Sequence, residues 1–359
     1  SEVGLVTRFD HITQRQRLIQ APQNEIWDER LDATIDAADI GGYLLVDWLA
    51  TDYVRIFGGL RLDGLFYSID NRLGNAIPAT RPEDFIPGFS RTAFGVAGGP
   101  RGTLELLPLP WLQVFLSYGR GFRSPQANQL GEGESAPFTT VNSWEGGLAM
   151  RLGAEETLKL RLAAFRTSLS QDAVFDPQEA TLERVGPSRR TGAVLHAHYA
   201  PWQWLVLAGS LTGARAILTE PPPATAEQPE PALEPGNLLP FVPPVVVRVD
   251  AALRGPLTQW RGHALTGHFG LGGQYLSARP LPYSEFSDPV FVVDARLSAR
   301  WRLLELALDA YNLFNHRYAA NEFVFVSDWN PGAVPSRLPA RHIAAGPPLS
   351  LLASLRIYL

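Results

Sequence analysis

Cysteine is absent from the 359 residues, and lysine occurs once, at Lys159. Without thiols the chain forms no disulfide, no zinc–thiolate centre and no thiol nucleophile, a composition that suits a periplasm-facing protein. No run approaches the roughly 20 apolar residues that a membrane helix needs. If the chain crosses a membrane, it must do so as a barrel, the other spanning structure that pairs every backbone group. A large excess of one charge is also missing. The formal net charge is −5, which argues against nucleic acid as a partner. Ser124 and Ser143 lack a Gly-x-Ser-x-Gly frame, and Gly119-Arg120-Gly121 ends a strand and precedes no helix, so neither a nucleophile elbow nor a phosphate loop is present. The chain therefore reads as a non-enzyme that needs no cofactor. It opens at Ser1-Glu2-Val3-Gly4 inside a strand-like pattern with no secretion signal, and a processed or truncated N-terminus is expected.

Hydrophobic residues make up 45% of the sequence and charged residues 19%, which excludes disorder. The stretch that organises the rest is Trp301 to Tyr318, WRLLELALDAYNLFNHRY. Leu304, Leu306, Leu308 and Ala310 alternate with Glu305, Asp309 and Tyr311, the period-2 pattern of a strand with one apolar and one acidic face. The same alternation recurs. Arg55, Arg61 and Asp63 share a face; Arg248 and Asp250 oppose Val247, Val249 and Ala251; Asp294, Arg296, Ser298 and Arg300 oppose Phe291, Val293, Ala295, Leu297 and Ala299.

Fourteen strand-like segments are expected, near 2–11, 36–48, 52–68, 91–107, 111–120, 141–152, 157–168, 189–200, 204–216, 242–255, 262–276, 290–301, 303–313 and 343–359. Their connections alternate between short ones, at 50–51, 108–110, 153–156, 201–203, 255–261 and 302, and long ones, near 12–35, 69–90, 121–140, 169–188, 217–241, 277–289 and 314–342. That sorting is the habit of an up-and-down outer-membrane barrel. Trp48, Trp111, Trp202, Trp204, Trp260 and Trp301 all lie beside short connections, where an aromatic belt would meet lipid headgroups; Trp27, Trp144 and Trp329 lie on the long-loop side. The proline-rich run 220–244 reads as an extended surface loop. The seven histidines are scattered. His196 and His198, at i, i+2, could share a face, but with no clustered carboxylates a position on the pore wall or rim is the plainer reading, and no metal site is expected.

Four places resemble motifs of TonB-dependent outer-membrane receptors. Tyr118-Gly119-Arg120-Gly121-Phe122-Arg123-Ser124-Pro125 is similar to that family's Y-x-x-G-F-R-x-P strand end, and Asn142-Ser143-Trp144-Glu145-Gly146-Gly147-Leu148 to its N-Y-E-L-G-L strand opening. Gly236 to Pro243 resembles an L-P-x-x-P strand start, and Asn312-Leu313-Phe314-Asn315-His316-Arg317-Tyr318 its NLFN-x-x-Y signature. The usual N-P-x-L-x-P-E is replaced by 131–140, and the chain ends in Leu359 where the family ends in Phe. The resemblance implies a transmembrane antiparallel β-barrel, with residues 1–359 as about the last fourteen of 22 strands and neither plug domain nor TonB-binding segment. It also implies a receptor in the bacterial outer membrane for energised uptake of a ferric siderophore, cobalamin or similar nutrient. Outer-membrane lipid would be one partner. TonB with its inner-membrane energising complex would be another, reached through the missing N-terminal part.

Within that resemblance Arg120, Arg123, Tyr283, Phe286, His316, Arg317 and Trp329 are candidate ligand contacts, arginine for an anionic chelate and aromatics for planar surfaces. Tyr118, Gly121, Phe122, Pro125, Glu145, Asn312, Leu313, Phe314, Asn315 and Tyr318 are shared motif positions with a structural role. Two arrangements remain: an open sheet with bare edges, which is favoured, or a non-energised pore in which 2–11 swings round to pair with 347–359 and closes a smaller fourteen-strand barrel.

Overall fold

In β13 (Leu304–Tyr311) the three leucines Leu304, Leu306 and Leu308 are 43%, 62% and 45% exposed, whereas the Glu305 and Asp309 side chains between them are only 14% exposed. A water-soluble sheet would show the reverse order. Burying carboxylates while exposing leucine is stable only where the apolar face meets hydrocarbon and the charged face meets partners across the ladder.

The computed structural model describes residues 1–20, 22–71, 88–123, 138–176, 181–220, 236–327 and 338–358. The described strands are β1 (Glu2–Gln20), β2 (Glu25–Thr51), β3 (Val54–Asn71), β4 (Phe89–Leu109), β5 (Leu112–Arg123), β6 (Thr139–Leu152), β7 (Leu158–Asp176), β8 (Thr181–Trp202), β9 (Leu205–Leu218), β10 (Val245–Trp260), β11 (His263–Leu276), β12 (Val290–Trp301), β13, β14 (Ala319–Ser327), β15 (Leu338–Ala345) and β16 (Ser350–Ile357). Fourteen of them form one antiparallel up-and-down sheet in the order β1 to β13 and then β16; β14 and β15 form a separate hairpin. The order starts at β1 and ends at β16, so the sheet is not closed: among the described residues no ladder joins these two strands, and the small closed barrel is not formed.

Several sequence expectations need correction. Within the expected loops 12–35 and 169–188, residues 12–20, 25–35, 169–176 and 181–188 are strand. The β1–β2 ladder runs on to Gln20 opposite Glu25, and β7–β8 to Asp176 opposite Thr181, with register shifts near both tips. At about 3.3 Å per residue the 27-residue β2 far exceeds the roughly 9–11 residues that a bilayer requires. Residues 12–20 of the first hairpin carry little apolar alternation, and the Leu31, Ala33, Ile35 alternation of its second strand is short. One face carries ion pairs, His11 Nδ1 with Asp36 at 2.6 Å and Arg15 with Asp32 at 3.1 Å, and the other buries Leu31, Ala33 and Ile35. The expected loop 314–342 contains β14 and the start of β15, and the expected last strand 343–359 divides between β15 and β16. The connection placed at 255–261 is a two-residue turn, Arg261-Gly262. Both residues have positive φ (50° and 76°), as a type I′ hairpin requires.

The chain divides into two compact units. Unit 1 comprises 1–104 and 117–143. On its charged face Arg61 binds Asp63 (2.6 Å) and Asp39 (3.4 Å), Arg55 binds Asp47 (2.6 Å), and the Tyr43 hydroxyl donates to Glu2 (2.6 Å). Tyr43 lies over Gly4, where a Cβ would come within 2.4 Å of the ring. Leu31, Ala33, Ile35, Ile69 and Ala93 form a small core.

Unit 2 comprises 105–116 and 144–359. At its short turns Trp202 stacks on Trp204 (centroids 4.9 Å), Trp260 packs on Trp301 (4.5 Å), and the Trp301 indole N–H donates to the Trp260 carbonyl (3.2 Å). Trp202, Trp204 and Trp260 are each about half exposed, as an aromatic belt demands.

Candidate ligand-binding surface

Two regions of unit 2 and one strand end of unit 1 hold the residues singled out from the sequence. The first region is the charged face of the wall. Cross-strand register sets Arg161 opposite His196, His196 opposite Ser210, and Ser210 opposite Arg248. Side chains at opposed positions share a face, so these four strands present one row of polar and cationic groups. The row lines a depression of about 450 Å³ with Lys159, His198 and Asp250. Each cation has a carboxylate nearby: Lys159 with Glu156 (3.1 Å), Arg161 with Glu145 (3.1 Å), Arg248 with Asp250 (2.7 Å). Glu156 lies in the turn before β7, and its carboxyl is held below the usual range by the hydrogen bond from Lys159, helped by Arg151. His196 and His198 thus sit on the wall among cations, and among the described residues no group of His, Asp or Glu has metal-binding geometry. Further along, Arg296 bridges Asp309 (3.2 Å) and Glu305 (3.6 Å).

The second region is the end of unit 2 away from the short turns, which is built on a buried anchor. Asp172 accepts from the Ser188 hydroxyl (2.6 Å), from Arg190 (2.7 Å) and from the Ala173 N–H (2.9 Å), and holds the irregular stretch of the β7–β8 hairpin. Beside it Val185, Ala216, Leu218 and Leu239 form an apolar cluster. Phe323 of β14 packs on Phe175 (5.7 Å) and Phe241 (5.6 Å), and so joins three connections. Arg341 of β15 then ties this hairpin to 277–289. It donates to the Phe286 carbonyl (2.8 Å) and to Glu285 (3.2 Å), and stands 3.7 Å from the buried Glu322, which accepts from the Asp288 N–H (3.0 Å). Tyr283 and Phe286 project from this frame, more than half exposed.

Sequence reading missed Arg341, Glu322 and Asp172. The run Glu322-Phe323-Val324-Phe325-Val326, rich in aromatic and β-branched residues, was the available signal for β14.

The NLFN stretch is a joint. Asn312, 2% exposed with φ 51°, donates through Nδ2 to the carbonyls of His316 (2.8 Å) and Pro347 (3.0 Å), and its Oδ1 accepts from the His316 N–H (2.9 Å). Its own N–H donates to Asp294 of β12 (2.9 Å). The Asn315 side chain accepts from the Leu349 N–H (3.0 Å), just ahead of β16. Tyr318 lies against Gly346, where a Cβ would fall 2.3 Å from the ring. These residues bind β12, β13 and β16 together, while Leu313, Phe314, His316 and Arg317 face outward on the same turn.

In unit 1 the Tyr118 hydroxyl donates to Asn142 (3.3 Å), so two of the motifs meet, and Phe122 packs on Phe138 (5.8 Å). Alternation in β5 places Arg120 on the side of Val114 and Leu116, and Arg123 on the side of the buried Phe115. Gly121 leaves open space beside this strand end. Pro125 and Trp329 lie outside the described residues.

A family model described as TonB dependent receptor-like, beta-barrel, matches residues 6–313. No curated protein matches. Among solved structures, the ferric yersiniabactin uptake receptor FyuA from Yersinia pestis aligns with TM-score 0.74 at 15% identity over 99% of this chain and 50% of that one. The ferric-catecholate import receptor Fiu from E. coli K12, in its closed form, aligns with TM-score 0.69 at 18% identity over 99% and 51%. The copper transporter OprC aligns with TM-score 0.64 at 16% identity over 100% and 54%. The chain thus spans about half the length of these structures.

Proposed function

The chain belongs to the TonB-dependent receptor β-barrel family of the outer membrane, and from that premise we propose that it walls a receptor for energised uptake of a ferric siderophore, cobalamin or a nutrient of similar size. Residues 1–359 serve as the C-terminal portion of the barrel domain. A plug and a TonB-binding segment belong to the same proposal, as does the energy drawn from TonB and its inner-membrane complex.

The observation that carries the reading is the inverted wall, with leucines outward and cross-strand ion pairs inward. A wide, wet lumen lined by both signs of charge has that construction. Ligand contacts fall to the groups exposed on the long-connection side: Tyr283, Phe286, His316 and Arg317 in unit 2, and Arg123 in unit 1. Trp329 belongs to the same set. Arg120, turned to the apolar side of β5, is the weaker candidate of the arginine pair.

The test is uptake of radiolabelled ferric chelates by cells in which this gene supplies the sole receptor. Saturable uptake that stops when TonB is deleted is expected. Uptake that persists without TonB, or the absence of uptake with every chelate and with cobalamin, would overturn the proposal.

A further inference from the structure

The apolar face of unit 2 carries a furrow of about 610 Å³ that runs across β10 to β13 near the short turns. Register explains its shape. Gly255 stands opposite Gly267, and Gly267 opposite Ala299, so the floor itself is low, and the Leu257 side chain folds over Gly267 at one end of it. One step up the wall Leu253, Phe269, Leu297 and Leu308 stand opposite one another in turn, a continuous ridge along one side. On the other side lie Leu257 and Trp204. Barrel strands tilt by roughly 45°, so a furrow that crosses them is itself inclined to the bilayer normal and can follow an acyl chain.

The nearby turns supply the opposite chemistry. The Arg261 guanidinium sits over the Trp260 ring (5.4 Å), and that of Arg302 over Trp301 (6.0 Å). The two tryptophans pack together, so both cations lie on one pair of rings at belt depth. Neither has a carboxylate partner among the described residues, and 254–264 and 296–304 contain no Asp or Glu. Two arginines without a carboxylate partner among the described residues, at headgroup level beside an apolar furrow, suit an anionic headgroup on an apolar tail.

We propose that this rim is a binding site for an anionic phospholipid of the leaflet at the short turns, with one acyl chain in the furrow and its phosphate on Arg261 and Arg302. The inference rests on the outer-membrane reading and is independent of which nutrient is carried.

Tryptophan quenching by phosphatidylglycerol and phosphatidylcholine brominated on their acyl chains, titrated into the chain in detergent, tests it. Each cation near a lipid surface contributes a factor of roughly fivefold, so half-quenching by phosphatidylglycerol should come at more than tenfold lower concentration than by phosphatidylcholine. Arg261→Gln with Arg302→Gln should abolish the preference. Ala299→Phe, which adds an apolar group on the lipid face, should weaken quenching by phosphatidylglycerol without unfolding the sheet. Equal quenching of the native chain by both lipids, or a preference that survives the double substitution, overturns the site while leaving the membrane reading intact. Quenching by neither lipid overturns both. A furrow covered by a second copy would show as dimers cross-linked through Leu253→Cys with no lipid preference, which also overturns it.

Discussion

At the scale of single residues, the NLFN stretch is a hydrogen-bonding device before it is anything else. Asn312 is buried, holds a left-handed backbone that asparagine tolerates, and satisfies three backbone groups with one side chain. Asn312→Ala leaves those groups unpaired and should lower the stability of the folded chain in detergent by about 2–4 kcal/mol. Asn312→Asp keeps the acceptor for His316 and should fall between; an alanine variant as stable as the native chain would remove the joint from the account. The two faces of β13 make a sharper comparison. Leu306→Arg, two positions from the Trp301 level, should cost roughly 1–2 kcal/mol, between the interfacial and midplane values. Asp309→Asn should cost roughly 1 kcal/mol, because Arg296 keeps Glu305 as a neighbour. Equal costs in a urea titration from vesicles would show that both faces meet the same medium.

At the scale of elements, strand length matters more than loop length. Short turns and long connections were expected to sort the two ends of the sheet; instead the hairpins β1–β2 and β7–β8 carry their ladders far past any bilayer. Their charged residues hid them, since the buried alternation Leu31, Ala33, Ile35 is short and flanked by the Arg15–Asp32 and His11–Asp36 pairs. β14 and β15 were hidden differently: their partners, Phe175, Phe241 and the 277–289 segment, are remote in sequence. The absence of cysteine makes the orientation easy to test. Gln14→Cys, on the projecting hairpin, should react with a membrane-impermeant maleimide on intact cells, and Tyr53→Cys, at a short turn, only after permeabilisation. The reverse pattern would invert the topology.

At the scale of the whole molecule, β1 and β16 each have one neighbour in the strand order. An unpaired N–H or C=O costs several kcal/mol in hydrocarbon, so both edges demand further strands. Hydrogen exchange on the chain by itself should find alternate amides of 3–10 and 351–357 unprotected while β10–β11 is slow. Uniform protection would mean that the edges are covered.

The inward charges, the outward leucines and the tryptophans at the short turns were legible from the sequence alone, because a strand's period of two ties each side chain to one face whatever the strand pairs with. The motifs named the family for a related reason: Asn312, Tyr118 and Tyr318 sit at joints that the wall needs wherever it is built. Other features were settled only by tertiary structure. The capping of unit 2 joins Phe323 to Phe175, more than a hundred positions away, and Arg341 to the Phe286 carbonyl, 55 positions away, and no local period reports such contacts. The furrow over Gly255, Gly267 and Ala299 exists only once register brings three small residues from three strands into line. Which side of the wall Arg123 takes was open until β5 was found to run past the expected end at residue 120 as far as Arg123. Pattern along a chain dictates which face a residue occupies; register and long-range packing dictate which residues share a place on that face.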